Sequence, residues 1–412
     1  MVVLPAWRGP SVAAALDLAA PLTLTSRVAG LDVHFPWCLA KCPYCDFVSY
    51  PAAREAIDHD GYARAVLAEL ELRAPVFEGR RVESVFFGGG TPSLWDARAL
   101  GRVLDAARRR FDASPSLEVT VECNPTSLDA DKARALADVG VTRVSIGTQS
   151  LRADQLKFLG RLHDPDGAGR ALDAAQSVAG LRVSTDLIFG LPEQSPEDAR
   201  DQALALAGRG LAHLSCYALT IEAGTRFGEL ARAGRLPLAD DGRVADALLA
   251  IHEALEGEGF THYEISNYAR PGEEARHNLG YWRGEEYLGL GCGAYGFARV
   301  GASGVRYRNT VEPASYQNGT TFADLAGAVS GEREELSPEA LLRERIMLGL
   351  RLADGFDLGA AGRDLGLDPF TRERTLAIEQ LASRGRLVRS GDVLSIPKAA
   401  WLFTDDTAAR LF

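Results

Sequence analysis

Three thiols stand close together in this chain, Cys38, Cys42 and Cys45, within His34-Phe35-Pro36-Trp37-Cys38-Leu39-Ala40-Lys41-Cys42-Pro43-Tyr44-Cys45-Asp46-Phe47. Thiolates are soft ligands that suit zinc or iron–sulfur clusters. Structural zinc takes four ligands, commonly in two pairs, and only three thiols group here. His34 could be a fourth ligand, but an imidazole inside an apolar strand reads more simply as a buried, hydrogen-bonded group. A four-iron cubane held by three cysteines keeps one iron open to a small molecule, whereas ordinary ferredoxin runs carry four cysteines. The spacing therefore points to a [4Fe–4S] cluster with an open corner, with zinc as the alternative. Cys123, Cys216 and Cys292 are scattered singly and read as buried thiols. Six cysteines in 412 residues do not make a secreted disulfide framework.

Other chemistry-bearing residues recur at a regular phase. Short β-branched runs at residues 31–35, 82–87, 117–121, 143–146, 182–185 and 213–217 alternate with helical runs, for instance 61–73, 97–110, 130–138, 167–178 and 196–207. Strands separated by helices predict a parallel sheet with right-handed crossovers, and an open or closed barrel in the absence of a Gly-x-Gly-x-x-Gly turn. In such a barrel the working residues sit past the carboxyl end of each strand. Cys38 follows the first strand, Gly88-Gly89-Gly90-Thr91-Pro92 the second and Glu122 the third. Gly147-Thr148-Gln149 follows the fourth and Asp186 the fifth. The predicted rim thus collects the unusual residues.

Composition bounds the rest. A net charge of −11, from 56 acidic and 45 basic residues, argues against a general nucleic-acid surface. Residues 1–28 read as an N-terminal extension: the apolar stretch 12–22 is interrupted by Asp17 and is too short to span a bilayer. A cytoplasmic protein without a membrane segment is expected. The chain divides as a barrel over 29–265, a connecting aromatic and Gly-rich region over 266–325 and a C-terminal module over 326–412, with 320–334 as the linker into it. Helices near 338–352, 357–365 and 368–383 followed by a hairpin-like 387–396 suggest a winged-helix-like unit. That unit is not notably basic, so packing is favoured over DNA binding.

The C-x3-C-x2-C loop resembles the signature of radical S-adenosylmethionine (SAM) proteins. The flanking H-F-P-W-C and Y-C-D-F resemble the oxygen-independent coproporphyrinogen III oxidase-like family, from about Leu31 to the C-terminal module. The resemblance implies a partial (β/α)6 radical SAM barrel. It further implies that the open iron binds the cofactor's amino and carboxylate groups, and that reduction by a low-potential electron donor cleaves it to a 5′-deoxyadenosyl radical. On the matching positions it makes Cys38, Cys42 and Cys45 the cluster ligands. Gly89, Gly90 and Thr91 fall at the methionine end, Arg161 at the carboxylate, and Asp186 with Gln149 at the ribose. Glu122 is a further cofactor position, and Tyr44 and Thr220 lie near the adenosine. One departure stands out: the family commonly has a tyrosine six residues before the first cysteine, where this chain has Asp32.

Within that family two functions compete. Coproporphyrinogen dehydrogenases carry a fourth cysteine, C-x3-C-x2-C-x-C, where this chain has Phe47, and an N-terminal region that residues 1–28 do not resemble. His277-Asn278-Leu279-Gly280-Tyr281-Trp282 instead resembles the H-N-x-x-Y-W motif of the haem-chaperone branch. An imidazole ligates iron and aromatic rings offer flat apolar surface to a porphyrin. On the residues alone, His277 reads as a satisfied structural histidine; the resemblance makes His277, Asn278, Tyr281 and Trp282 candidate haem residues. A second departure is Gly293-Ala294-Tyr295, where chaperones usually show Gly-Ala-His. The expectation is a haem carrier that passes haem to acceptor proteins, with porphyrinogen oxidation as the alternative.

Overall fold

The computed structural model describes residues 28–318 and 331–412. Residues 1–27 of the extension read as 1–28, and residues 320–330 of the linker read as 320–334, lie outside the described residues.

Six strands, β1 (Val28–Phe35), β2 (Arg81–Gly89), β3 (Asp112–Cys123), β4 (Arg143–Gln149), β5 (Arg182–Phe189) and β6 (His213–Ala218), pair in parallel in chain order. The helices between them start where the sequence supplies a cap. Asp58, Asp96, Asp129, Asp164 and Ser195 each accept a hydrogen bond from the first turn that follows, and Pro165 and Pro196 occupy first-turn positions that need no N–H.

Strand alternation builds the interior. Leu31, Val33 and Phe35 of β1, Val119 and Val121 of β3, Val144 and Ile146 of β4, and Leu214 and Cys216 of β6 face the helices and join the main core. The intervening positions, among them Glu118, Thr120, Glu122, Arg143, Ser145, Ser184, Asp186, His213 and Ser215, face the lumen. One face of each strand is thus apolar and the other polar, because successive side chains point to opposite sides.

The six expected strands are extended to twelve among the described residues. Beyond β6 come β7 (Thr261–Glu264) and β8 (Asn267–Ala269). Then β9 (Glu286–Leu290), β10 (Tyr295–Val300), β11 (Ser303–Arg308) and β12 (Arg333–Leu336) extend the other edge, in the order β12-β11-β10-β9-β1-β2-β3-β4-β5-β6-β8-β7. β9 runs parallel to β1, making a seventh parallel strand out of the glycine-rich stretch. Gly289 and Gly291 mask its apolar signal. They are required because a Cβ on Gly289 would meet the Tyr295 carbonyl at 1.7 Å. The C-terminal module has its own core around Leu342, Ile346, Leu365, Ile378 and Leu394. Its helices Pro338–Gly349, Leu358–Leu365 and Arg372–Ser383 carry a small three-stranded sheet of Phe356–Asp357, Val388–Ser390 and Val393–Ser395. No helix among the described residues is long and apolar enough to cross a membrane.

Candidate functional site

The cluster loop leaves β1 and folds back on the glycine turn after β2. Gly90 N donates to Phe35 O at 2.7 Å and Thr91 N to Trp37 O at 2.8 Å. The glycines are demanded by this lacing: a Cβ on Gly89, whose φ is +106°, would lie 2.6 Å from the His34 ring, and one on Gly90 2.7 Å from Trp37 O. His34 itself bonds Val48 O at 2.7 Å, which makes it a brace of the loop and not a ligand. Thr91 Oγ1 donates to Cys38 Sγ at 3.3 Å and Arg161 Nη1 to Cys42 Sγ at 3.5 Å, while Cys45 Sγ lies 4.0 Å from Ser49 Oγ. Burial raises the Cys38 and Cys45 thiols above their ordinary values. Among the described residues no three His, Cys, Asp or Glu side chains are grouped to hold a single metal ion.

All three thiols open on one cavity of about 380 Å³. Tyr44, Gly89, Gly90, Thr91, Glu122, Gln149, Arg161, Asp186 and Thr220 line the same cavity, so the structure brings the whole rim set together. Gln149 stands at the end of β4 with φ +64°, a left-handed conformation uncommon outside glycine. A break in register with β5 precedes it. Its Oε1 is buried without a partner, as is Nε of Arg161. The rest of the Arg161 guanidinium is anchored, Nη2 to Gly147 O at 2.9 Å and Nη1 to Tyr44 Oη at 3.4 Å. Thr220 sits at the exposed mouth, its hydroxyl donating to Ala218 O at 3.3 Å. Asp186 was expected past the end of β5, but β5 continues to Phe189, so the carboxylate projects from mid-strand into the lumen. Ser145 Oγ donates to it at 3.2 Å.

Three lumenal carboxyls share this interior. Loss of water raises Asp186 to about 6, against the stabilising Ser215 and Ser145 hydroxyls. Desolvation and the nearby Asp186 charge raise Glu122 to about 8, against the Gly89 N–H. Desolvation raises Asp32 to about 7, against the neighbouring Tyr281 hydroxyl. Such a site favours a cationic occupant. Asp32 was singled out from the sequence only as a departure from the family's tyrosine, and Ser145 was not singled out. The available signal was a polar residue at every second position of otherwise apolar strands.

The His277 group lies elsewhere. His277, Asn278, Tyr281 and Trp282 fall on α1 (Arg276–Trp282), beneath the amino-terminal halves of β1 to β3. His277 is buried, stacks on Phe86 at 4.9 Å, and hydrogen-bonds Ser84 Oγ through Nδ1 at 2.9 Å and Tyr281 Oη through Nε2 at 3.0 Å. Desolvation lowers its pKa to about 3. His277 and Asn278 floor a cavity of about 110 Å³ that shares Glu122, Ser145, Asp186 and Tyr217 with the rim site. That volume is well under the ~300 Å³ at which small-molecule sites begin. Trp282 points instead to a groove of about 750 Å³ against the C-terminal module. The motif is therefore divided between the barrel floor and the module junction.

Fold and rim together define a radical SAM protein. The Radical SAM superfamily description matches residues 33–204 and the HemN C-terminal domain description residues 336–403. The heme chaperone HemW of Mycobacterium tuberculosis is 36% identical over 398 residues, covering 93% of this chain and 98% of that protein. The heme chaperone HemW of Escherichia coli is 41% identical over 266 residues, covering 65% of this chain and 69% of the relative. The mitochondrial radical S-adenosyl methionine domain-containing protein 1 of Danio rerio is 36% identical over 331 residues, covering 79% and 73%. Among solved structures, coproporphyrinogen III oxidase (HemN) from Escherichia coli, described as a radical SAM enzyme, gives a TM-score of 0.78 over 96% of this chain and 91% of that one. At 21% identity that likeness is one of fold. The chain belongs to the HemW branch of the HemN-like radical SAM family.

Proposed function

We propose that this protein binds haem and hands it to acceptor proteins, with a [4Fe–4S] cluster and SAM resident in the rim cavity. The observation that carries the reading is the match over nearly the whole chain to proteins named heme chaperones. Phe47 supports it, standing where a porphyrinogen oxidase would carry its further cysteine and lying exposed at the cavity edge. Coproporphyrinogen oxidation rests on a likeness of fold alone.

The residues present fit the two resident groups. Cys38, Cys42 and Cys45 would hold the cluster. The unpartnered Nε of Arg161 and Oε1 of Gln149 are a donor and an acceptor left for a ligand, the first for a carboxylate and the second for a hydroxyl. Asp186, held by Ser145, would accept from the ribose. Glu122, which lines the cavity, would ionise beneath a sulfonium and amine when that cation binds, with Asp32 deeper in the lumen. Gly89, Gly90 and Thr91 would line the methionine end, with Tyr44 and Thr220 beside the adenine. When bound, cluster and cofactor supply one-electron chemistry that protein side chains lack, and a low-potential donor would feed it. Cytoplasmic residence belongs to the same reading.

The test is an anaerobic haem titration of cluster-reconstituted protein followed by mixing with an apo-haemoprotein. Saturable binding and movement of the Soret band to the acceptor are expected. Failure of either overturns the carrier function, and release of protoporphyrinogen from coproporphyrinogen would replace it with the oxidase.

A further inference from the structure

We infer that haem docks on the cluster rim itself, against Phe47, Tyr50, Tyr295 and Val311, with the Tyr295 phenolate as iron ligand. The inference rests on the haem-carrier reading.

Topology brings this surface to the cluster. Leu290, the last residue of β9, lies level with Val33 near the end of β1, so the chain turns at the cluster end of the sheet. Tyr295 then opens β10 and Arg308 closes β11, the two residues being direct partners across the ladder. From the other side comes the end of the cluster loop. Val48 packs where a Cβ on Gly293 would stand 2.8 Å away, and Tyr50 Oη donates to Val311 O at 2.7 Å. Phe47, Tyr50, Tyr295 and Val311 are 56%, 37%, 43% and 39% exposed, and Tyr50 and Val311 meet through that bond.

Charge decides the occupant. The Arg308 guanidinium lies 5.0 Å from the centre of the Tyr295 ring, and its Nε is buried without a partner. Nearby Glu312 is engaged in capping the following helix through Ser315 N at 2.7 Å. On the cluster loop, the exposed Lys41 amine reaches Phe47 O at 3.1 Å. The unpartnered Arg308 nitrogen beside aromatic rings suits a propionate of a flat apolar dianion, even with the Asp46 and Glu312 carboxylates nearby. A phenolate is an established type of haem ligand. On ligation the phenol proton leaves to solvent and the oxygen lone pair enters the iron.

The other places serve haem less well. His277 is enclosed with both ring nitrogens engaged. The module groove is lined by Glu274, Asp354, Asp357 and Asp364 against Arg283 and Arg345, and Arg345 is paired with Asp364 at 2.7 Å. That excess of acid opposes two propionates.

The experiment compares wild type, Tyr295→Phe, Tyr295→His and Arg308→Gln, each cluster-reconstituted and titrated with ferric haem, with resonance Raman spectra of the complexes. Retained cluster absorbance certifies the fold. Wild type is expected to show tyrosinate modes that vanish in Tyr295→Phe, with affinity falling about tenfold or more. Tyr295→His should restore affinity with a nitrogen-ligated spectrum, and Arg308→Gln should weaken binding. If wild type binds no haem, the carrier function itself fails. If wild type binds and Tyr295→Phe matches it in affinity and spectrum, the rim site is wrong while the carrier function stands.

Discussion

The rim of the barrel and the imidazole at its floor both offer residue types that suit ligand chemistry, and Gln149 and His277 have opposite local character. Trp282 Nε1 at the end of the floor run, however, is also buried without a partner. At the rim, Gln149 and Arg161 keep buried polar atoms without partners, and the thiols face an open cavity. At the floor, His277 bonds Ser84 and Tyr281, its backbone N–H donates to Glu118 at 3.3 Å, and Glu118 pairs with Arg182 at 3.1 Å. A buried polar group without a partner costs free energy, so one that persists marks a place shaped for something else. A buried group fully partnered marks architecture. Motif spacing alone cannot separate these cases, because both require the same residue types.

Four substitutions would break or sharpen this contrast. The largest effect belongs to Cys42→Ser, which removes one of three thiolates and should abolish the cluster's charge-transfer absorbance after reconstitution, leaving the fold intact by circular dichroism. Full absorbance in that variant would mean that the ligands lie elsewhere. Next, His277→Ala should cost about 3 kcal/mol in a urea titration, from a lost ring stack and two unpaired interior partners. Near-wild-type stability would show that the floor is not built on this imidazole.

Asp32→Asn should stabilise the cofactor-free protein, and the sign follows from burial. The carboxyl is raised to about 7 in the folded state, so its ionisation opposes folding as pH climbs from about 4 through 7. The gain should approach about 4 kcal/mol at pH 8 and vanish below pH 4. A gain equal at both ends would place the effect in packing rather than charge. Smallest is Thr220→Val: at the exposed mouth, with one 3.3 Å bond to Ala218 O, it should change the melting free energy by no more than about 0.5 kcal/mol. A larger loss would show that the mouth is held more tightly than its exposure suggests.

Much of the barrel was legible beforehand. The expected helices at 97–110, 130–138 and 196–207 match Ala97–Arg110, Ala130–Asp138 and Pro196–Ala207, because Asp96, Asp129 and Ser195 announce their starts. The second half of the sheet was not legible. In β9 and β10, glycines needed for close strand contact dilute the apolar alternation, and Arg299 is buried by an ion pair with Asp364 at 2.8 Å that no local pattern reveals. Nor could the sequence say that Asp186 points inward from mid-strand, since strand length depends on pairing with neighbours.

By itself, the sequence determined the thiol chemistry and spacing of Cys38, Cys42 and Cys45, the six-strand parallel repeat and the polar phase of its inward positions. These are local properties, written in side-chain chemistry and period. Only the tertiary structure decided which rare residues share a space. It gathered Tyr44, Glu122, Gln149, Arg161 and Asp186 from three strands and two loops around one cavity, and it set His277 beneath the sheet with both nitrogens engaged. It also carried Tyr295 and Arg308 back to the cluster loop through strands that the local pattern did not announce. The physical reason is that a ligand site depends on unsatisfied groups facing a common volume, and satisfaction is a property of neighbours distant along the chain.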